Sequence, residues 1–211
     1  MLRVLFDEDE YYARQSGRQY CIVMGNYIEK IRSDYHRYTG NGKHPFYKII
    51  IYLLCGRNHC FNYSFWLRLA HEKNWMWPLA VLMHKRLSVK YSMQIPRQCE
   101  IGYGLYIGHG ICMVINQGTV IGNNVNLSHF LSIGTNKSTP ATIGDNVYIG
   151  PNVCIVEDVH IGNNSCIGAG SVVTKDVPEG STVAGVPAKV ISYKEHGFIL
   201  HTYDAGNMQD N

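Results

Sequence analysis

No apolar run in these 211 residues is long enough to cross a bilayer: the longest, Ile49 to Cys55, falls far short of the roughly 20 residues a spanning helix needs. The opening residues, MLRVLFDEDEYY, hold no signal-peptide core, which predicts a cytoplasmic protein. Seven cysteines, at 21, 55, 60, 99, 112, 154 and 166, form no Cys-x-x-Cys. An odd, scattered set predicts reduced thiols and no complete disulfide framework. No nucleic-acid-binding motif is present, so no nucleic-acid partner is expected. Basic residues are scarce in the second half. Residues 1–100 hold 15 Lys and Arg against 8 Asp and Glu, and residues 101–211 hold 4 against 8. Such an asymmetry fits either an ordinary solvated helical face or contact with something anionic, such as a membrane surface.

What the chain does have is a count in sixes. Ile115, Ile121, Leu127 and Ile133 form one run; Ile143, Ile149, Ile155, Ile161, Ile167 and Val173 form another. A strand repeats every two residues and a helix every 3.6, so a period of six fits neither alone. It fits a coil that turns a corner once per hexapeptide, the pattern of a parallel β-helix. Glycine often follows the anchor, as at Gly102, Gly108, Gly122 and Gly144, and Gly-Asn-Asn recurs at 122–124 and 162–164. Corners need residues that tolerate left-handed backbone angles, and Gly and Asn do. Three hexapeptides make one coil, so the region predicts about five coils. Ile107 to Ile115 is stretched by two residues, and Ile133 to Ile143 by four, which extrudes a loop at Thr135 to Pro140.

Before the repeats, Tyr20–Tyr38 and Phe61–Lys90 show roughly helical spacing, interrupted by turn signals at Gly40-Asn41-Gly42 and Gly56-Arg57-Asn58. Three or four helices are predicted, with Pro78 starting or kinking one. The division is therefore a helical region at 1–93, a β-helix at 94–191 and a polar tail at 192–211, partly disordered by its end.

Two histidines stand out by register. Ile107 and Leu127 are three faces apart and so stack in adjacent coils. His109 and His129 each follow two residues later, beside the two-residue insertion. The prediction is a neighbouring pair with backbones about one strand spacing (~4.8 Å) apart. Imidazole, with a near-neutral pKa, suits a general base acting on a hydroxyl. No closely spaced His pair within the repeats suggests a metal site, and none is expected.

The stretch Ile95 to Val190 resembles the left-handed β-helix acyltransferases, and within them the serine acetyltransferase-like group. The resemblance rests on Ile101-Gly102-Tyr103-Gly104-Leu105-Tyr106-Ile107-Gly108-His109, on Ile143 to Gly150, and above all on Ile167 to Pro178 and Gly185-Val186-Pro187-Ala188-Lys189. It implies a homotrimer with sites in grooves between neighbouring prisms, acetyl-CoA as donor and a hydroxyl acceptor. It places His109 on the family's catalytic base. It implies that Gly134, Thr135, Gly150, Ala169, Lys175 and Lys189 line the acetyl-CoA groove. Two positions depart from the serine enzymes: Gly108 stands where they carry Asp, and the loop ends Ser138-Thr139-Pro140 where they carry Arg-His-Pro. An amino-acid acceptor brings two charges that need partners. The expectation is therefore a saccharide acceptor served by Asn116, Gln117, Asn136 and Ser138, with serine, or a scaffold that has lost catalysis, as the alternatives.

Overall fold

The computed structural model describes residues 27–40, 45–56, 58–72, 75–136 and 139–204. The anchors face inward, and their strands stack into three parallel faces. The first face holds Met93–Gln94, Met113–Ile115, Ser132–Gly134, Cys154–Val156 and Val172–Val173. The second holds Glu100–Ile101, Val120–Ile121, Thr142–Ile143 and His160–Ile161. The third holds Tyr106–Gly108, Asn126–Ser128, Tyr148–Ile149, Cys166–Ile167 and Thr182–Ala184, and Lys189–Ser192 closes it as an antiparallel edge. With one face only four strands deep, the solenoid makes little more than four turns, not the five counted from the sequence. Past Val173 the chain adds a bridge from Val177 to Ile161 and the strand Thr182–Ala184 before the antiparallel edge.

Every anchor from Ile101 to Val173 is buried. Each fully buried Ile or Leu contributes about 1.5–3 kcal/mol. The corner between the second and third faces shows why asparagine recurs: Gly104, Asn124, Asn146, Asn164 and Gly180 stack there, all at positive φ. From Asn124 on, each N–H donates to a carbonyl one coil below, and the Gly104 N–H at the base donates to Ser33 Oγ of the helical layer at 2.8 Å. The side-chain amide of Asn146 also donates to Asn164 at 3.1 Å.

Four helices precede the solenoid among the described residues: α1 (Tyr27–Thr39), α2 (Phe46–Leu54), α3 (His59–His71) and α4 (Trp77–Tyr91). The expected segment 20–38 is α1 from Tyr27 on; its first residues lie outside the described ones. The expected helical stretch 61–90 is two helices, and Pro78 opens the second. Asn58 caps α3 by accepting from the N–H groups of Cys60 and Phe61. None of these helices is long and apolar enough to cross a membrane.

The helices and the solenoid share one core. Cys60, Tyr63, Leu67 and Leu87 pack against Met93, Ile95, Ile107 and Met113. A buried ion pair pins the seam. Arg68 grips the Asp34 carboxylate through Nε and Nη2, both at 2.9 Å, and donates to the carbonyls of Ile101 and Gly102. Asp34 also accepts from the N–H of Leu105 at 2.8 Å.

The first part of the tail is ordered. Residues 193–204 lie back along the solenoid: Asn124 exchanges two hydrogen bonds with the Tyr203 backbone, Asn126 donates to the Phe198 carbonyl, and Tyr203 is buried. Residues 205–211 fall outside the described ones.

Candidate active site

The third face ends at a corner where Gly108 pairs with Ser128. His109 and His129 follow, and their ring centroids are 6.0 Å apart. The predicted neighbourhood holds, but the rings meet edge to face, with 88° between their planes. The insertion also puts the two residues at different places in the turn. In the turn ladder, the N–H of Phe130 donates to Ile111, that of Asn152 to His129 and that of Gly170 to Pro151. His129 is therefore level with Ile111, and His109-Gly110 are the two extra residues. His109 stands on that bulge with φ +52°, exposed, while His129 is half-buried in the regular turn. The Nδ1 atom of His129 is buried and has no hydrogen-bond partner among the described residues.

The helical layer reaches this corner, which no motif foretold. The Gly110 N–H donates to Cys60 Sγ at 3.0 Å, and His59 Nε2 lies 3.2 Å from the Gly110 carbonyl. His59 also lies against the Tyr91 ring, with centroids 4.7 Å apart. A Cβ on Gly110 would come within 2.6 Å of Met93 Sδ and 2.8 Å of Ile107 Cγ2, so only glycine lets α3 close on the bulge. Burial pushes the Cys60 thiol up, which favours its neutral form, and the hydrogen bond from the Gly110 N–H opposes the shift.

On the outer side of the strands leading to the two histidines lies a buried cation from α1. Arg37 donates through Nη2 to Asn126 Oδ1, and its Cζ lies 5.9 Å from the centre of the Tyr106 ring. Its Nε and Nη1 have no partner among the described residues. Burial lowers its pKa to about 10, with Asp34 opposing.

The residues expected around acetyl-CoA divide between two corners. Gly150 and Ala169 continue the histidine column. Gly134, Thr135 and Lys175 lie on the corner between the first and second faces, together with Asn116, Gln117 and Asn136. A Cβ on Gly134 would meet nothing within 4 Å, whereas one on Gly150 would come 2.8 Å from the Ala169 nitrogen. Packing alone explains Gly150; Gly134 faces open space. Thr135 donates to Glu157 at 3.2 Å, Asn116 accepts from the Gly118 N–H, and Lys175 and Lys189 are exposed. Ser138 lies outside the described residues. No group of three or more His, Cys, Asp or Glu able to hold a metal occurs among the described residues.

Residues 140–175 match the family described as bacterial transferase hexapeptide (six repeats). The chain belongs to the hexapeptide-repeat proteins, and its fold is the left-handed parallel β-helix expected. Within that class its similarities run to serine acetyltransferases. It is 36% identical over 138 residues to serine acetyltransferase 3, mitochondrial, of Arabidopsis thaliana, an alignment covering 61% of this chain and 34% of that protein. It is 30% identical to the solved serine acetyltransferase of Neisseria gonorrhoeae in complex with serine, with a TM-score of 0.62, covering 79% of this chain and 67% of that one. A serine acetyltransferase solved in complex with CoA is 27% identical, with a TM-score of 0.56, covering 64% of this chain and 57% of that one. The chain spans between a third and two fifths of the length of the curated Arabidopsis relatives it matches. These findings overturn the saccharide acceptor. That expectation counted charge at two motif positions only, whereas a corner also receives groups from the helices, as His59 and Cys60 show.

Proposed function

We propose that this chain is an O-acetyltransferase that moves the acetyl group of acetyl-CoA onto the hydroxyl of L-serine, with His109 as general base. The observation that carries the reading is an exposed imidazole on an inserted bulge, in edge contact with a second one, in a chain whose relatives are serine acetyltransferases. His109 takes the hydroxyl proton as the oxygen attacks the thioester carbonyl carbon. Backbone N–H groups hold the resulting oxyanion. The C–S bond then breaks, and the His109 imidazolium returns its proton to the CoA thiolate. No covalent enzyme intermediate forms. His129 holds the ring of His109 in place, a task for which Gly108 offers no carboxylate.

Acetyl-CoA is held by Gly134, Thr135, Ala169, Lys175 and Lys189. Two of these sets sit on different edges of the prism, so one donor molecule touching both needs two prisms side by side. A threefold homotrimer supplies that groove three times.

Thiol release from acetyl-CoA, measured in turn with L-serine, nucleotide sugars and short glycans, tests the reading. Turnover with serine is expected; turnover with a glycan and none with serine refutes it. His109→Ala should slow the chemical step by roughly 10²–10⁴-fold while calorimetric CoA binding is unchanged.

A further inference from the structure

We infer that the outer side of the helical layer is a docking surface for an anionic lipid bilayer, on which the protein rests peripherally. The first observation is apolar surface left on the outside. A surface helix normally turns its apolar stripe inward. Here α2 buries Ile49 alone, and α4 buries only Ala80 and Leu87. Ile49 and Ala80 pack into one cluster, with Phe46, Ile50 and Val81 against it, while Leu87 joins the core shared with the solenoid. The outward positions are apolar and keep helical spacing. Tyr47, Ile51 and Leu54 lie at i, i+4 and i+7 on α2, with Leu54 81% exposed. Leu79, Leu82 and Val89 line α4, and Trp75, 86% exposed, stands just before it. Large exposed apolar side chains grouped this way mark an interaction surface.

The second observation is charge, and it selects the occupant. From residue 35 to residue 99 the sequence carries ten Lys or Arg, of which Arg37 and Arg68 are buried, and a single acid, Glu72. Neither α2 nor α4 contains an acidic residue. Lys48 on α2 and Lys85, Arg86 and Lys90 on α4 are exposed among the apolar positions. Apolar side chains interleaved with cations, with aromatic residues among them, are what an interfacial helix presents to lipid headgroups. A second copy of the chain fits less well. An isologous contact would set this basic surface against itself, with no carboxylate on either helix to pair the cations.

The test is co-sedimentation of the full chain with vesicles of pure phosphatidylcholine and with vesicles containing about a third phosphatidylglycerol. Binding to the anionic vesicles alone is expected, weakening as salt rises, with a blue shift of tryptophan emission that Trp75→Phe removes. Lys85→Glu together with Arg86→Glu should weaken it by roughly fivefold or more per cation removed. Leu82→Glu should abolish it while acetyl transfer and melting temperature stay unchanged. No binding, equal binding to both vesicle types, or loss of a larger assembly in Leu82→Glu by sedimentation equilibrium would overturn the proposal. The last result would assign the surface to a second copy.

Discussion

Lowering the pH should loosen the joint between the helices and the solenoid through one residue, His84. It sits on α4 with Nε2 3.0 Å from the Tyr63 hydroxyl. That hydroxyl lies 3.2 Å from Ser88 Oγ, 3.2 Å from the Met93 carbonyl and 3.2 Å from the Ile95 nitrogen, whose N–H it accepts. The cluster therefore ties α3 and α4 to the first strand. Burial lowers the His84 pKa from 6.5 to about 4; the charge of Arg97 adds to this, and a hydrogen bond with the Ile95 backbone opposes it. Above pH 6.5 the imidazole is neutral in both folded and unfolded chains and costs nothing. Between pH 6.5 and 4 the unfolded chain binds a proton that the folded one refuses, so stability falls as pH falls. The full difference is about 3 kcal/mol, and about 2 kcal/mol of it is already lost at pH 5. For a chain of this size that corresponds to roughly 4–8 °C of melting temperature.

Other groups titrate in the same window, so the measurement is a difference. Urea midpoints of the wild type and of His84→Gln would be compared at pH 7.5 and pH 5, at equal protein concentration because assembly shifts apparent stability. The wild type should lose about 2 kcal/mol more than the variant. Parallel pH profiles for the two proteins would refute the argument, since His84 would then be charging freely in the folded state.

Two further outcomes follow from the seam. Asp34→Ala removes the carboxylate that Arg68 grips and leaves a buried guanidinium unpaired, which should cost about 3–5 kcal/mol in chemical denaturation. Gly110→Ala forces a methyl group against Met93 and Ile107 and should cost about 1–3 kcal/mol by overpacking. Because it pushes α3 off the bulge that carries His109, it should also slow acetyl transfer more than it weakens CoA binding.

The coils were readable because each anchor's burial repeats along the chain and each corner writes its backbone angle as Gly or Asn. Counting residues from Ile107 to Leu127 was enough to bring His109 and His129 together, and the two-residue insertion between Ile107 and Ile115 correctly marked an irregular corner. The count alone could not show that His109 is itself part of the insertion. That depends on which turn carbonyls find partners, and Ile111 rather than His109 matches His129 there. The 88° angle between the two rings was likewise out of reach, because side-chain torsions set it and residue spacing does not. Helix existence was legible from spacing. Helix placement was not, since Arg68 with Asp34, Cys60 with Gly110 and Tyr203 with Asn124 are long-range pairs that leave no periodic trace.

The same blindness explains why the acceptor was misread. The expectation of a saccharide rested on Gly108 and the loop at 135–140, although the N-terminal half or a neighbouring subunit can also supply charge to the site. Gly108 and that loop are each one position on one coil. A β-helix corner is an edge, and an edge can be approached by the coils above and below, by the layer packed on its end and by a neighbouring prism. In this chain the layer on its end is rich in cations. Arg37, from α1, lies buried against Asn126 and Tyr106, on the strands that lead into the two histidines, and its Nε and Nη1 have no partner among the described residues. A buried guanidinium is costly to keep unpaired. Its presence there means that positive charge near these strands comes from the helices and not from the repeat. A charge missing from a motif therefore shows only that the motif does not supply it. The identity of the acceptor depends on the whole edge, and the coils contribute only part of that edge.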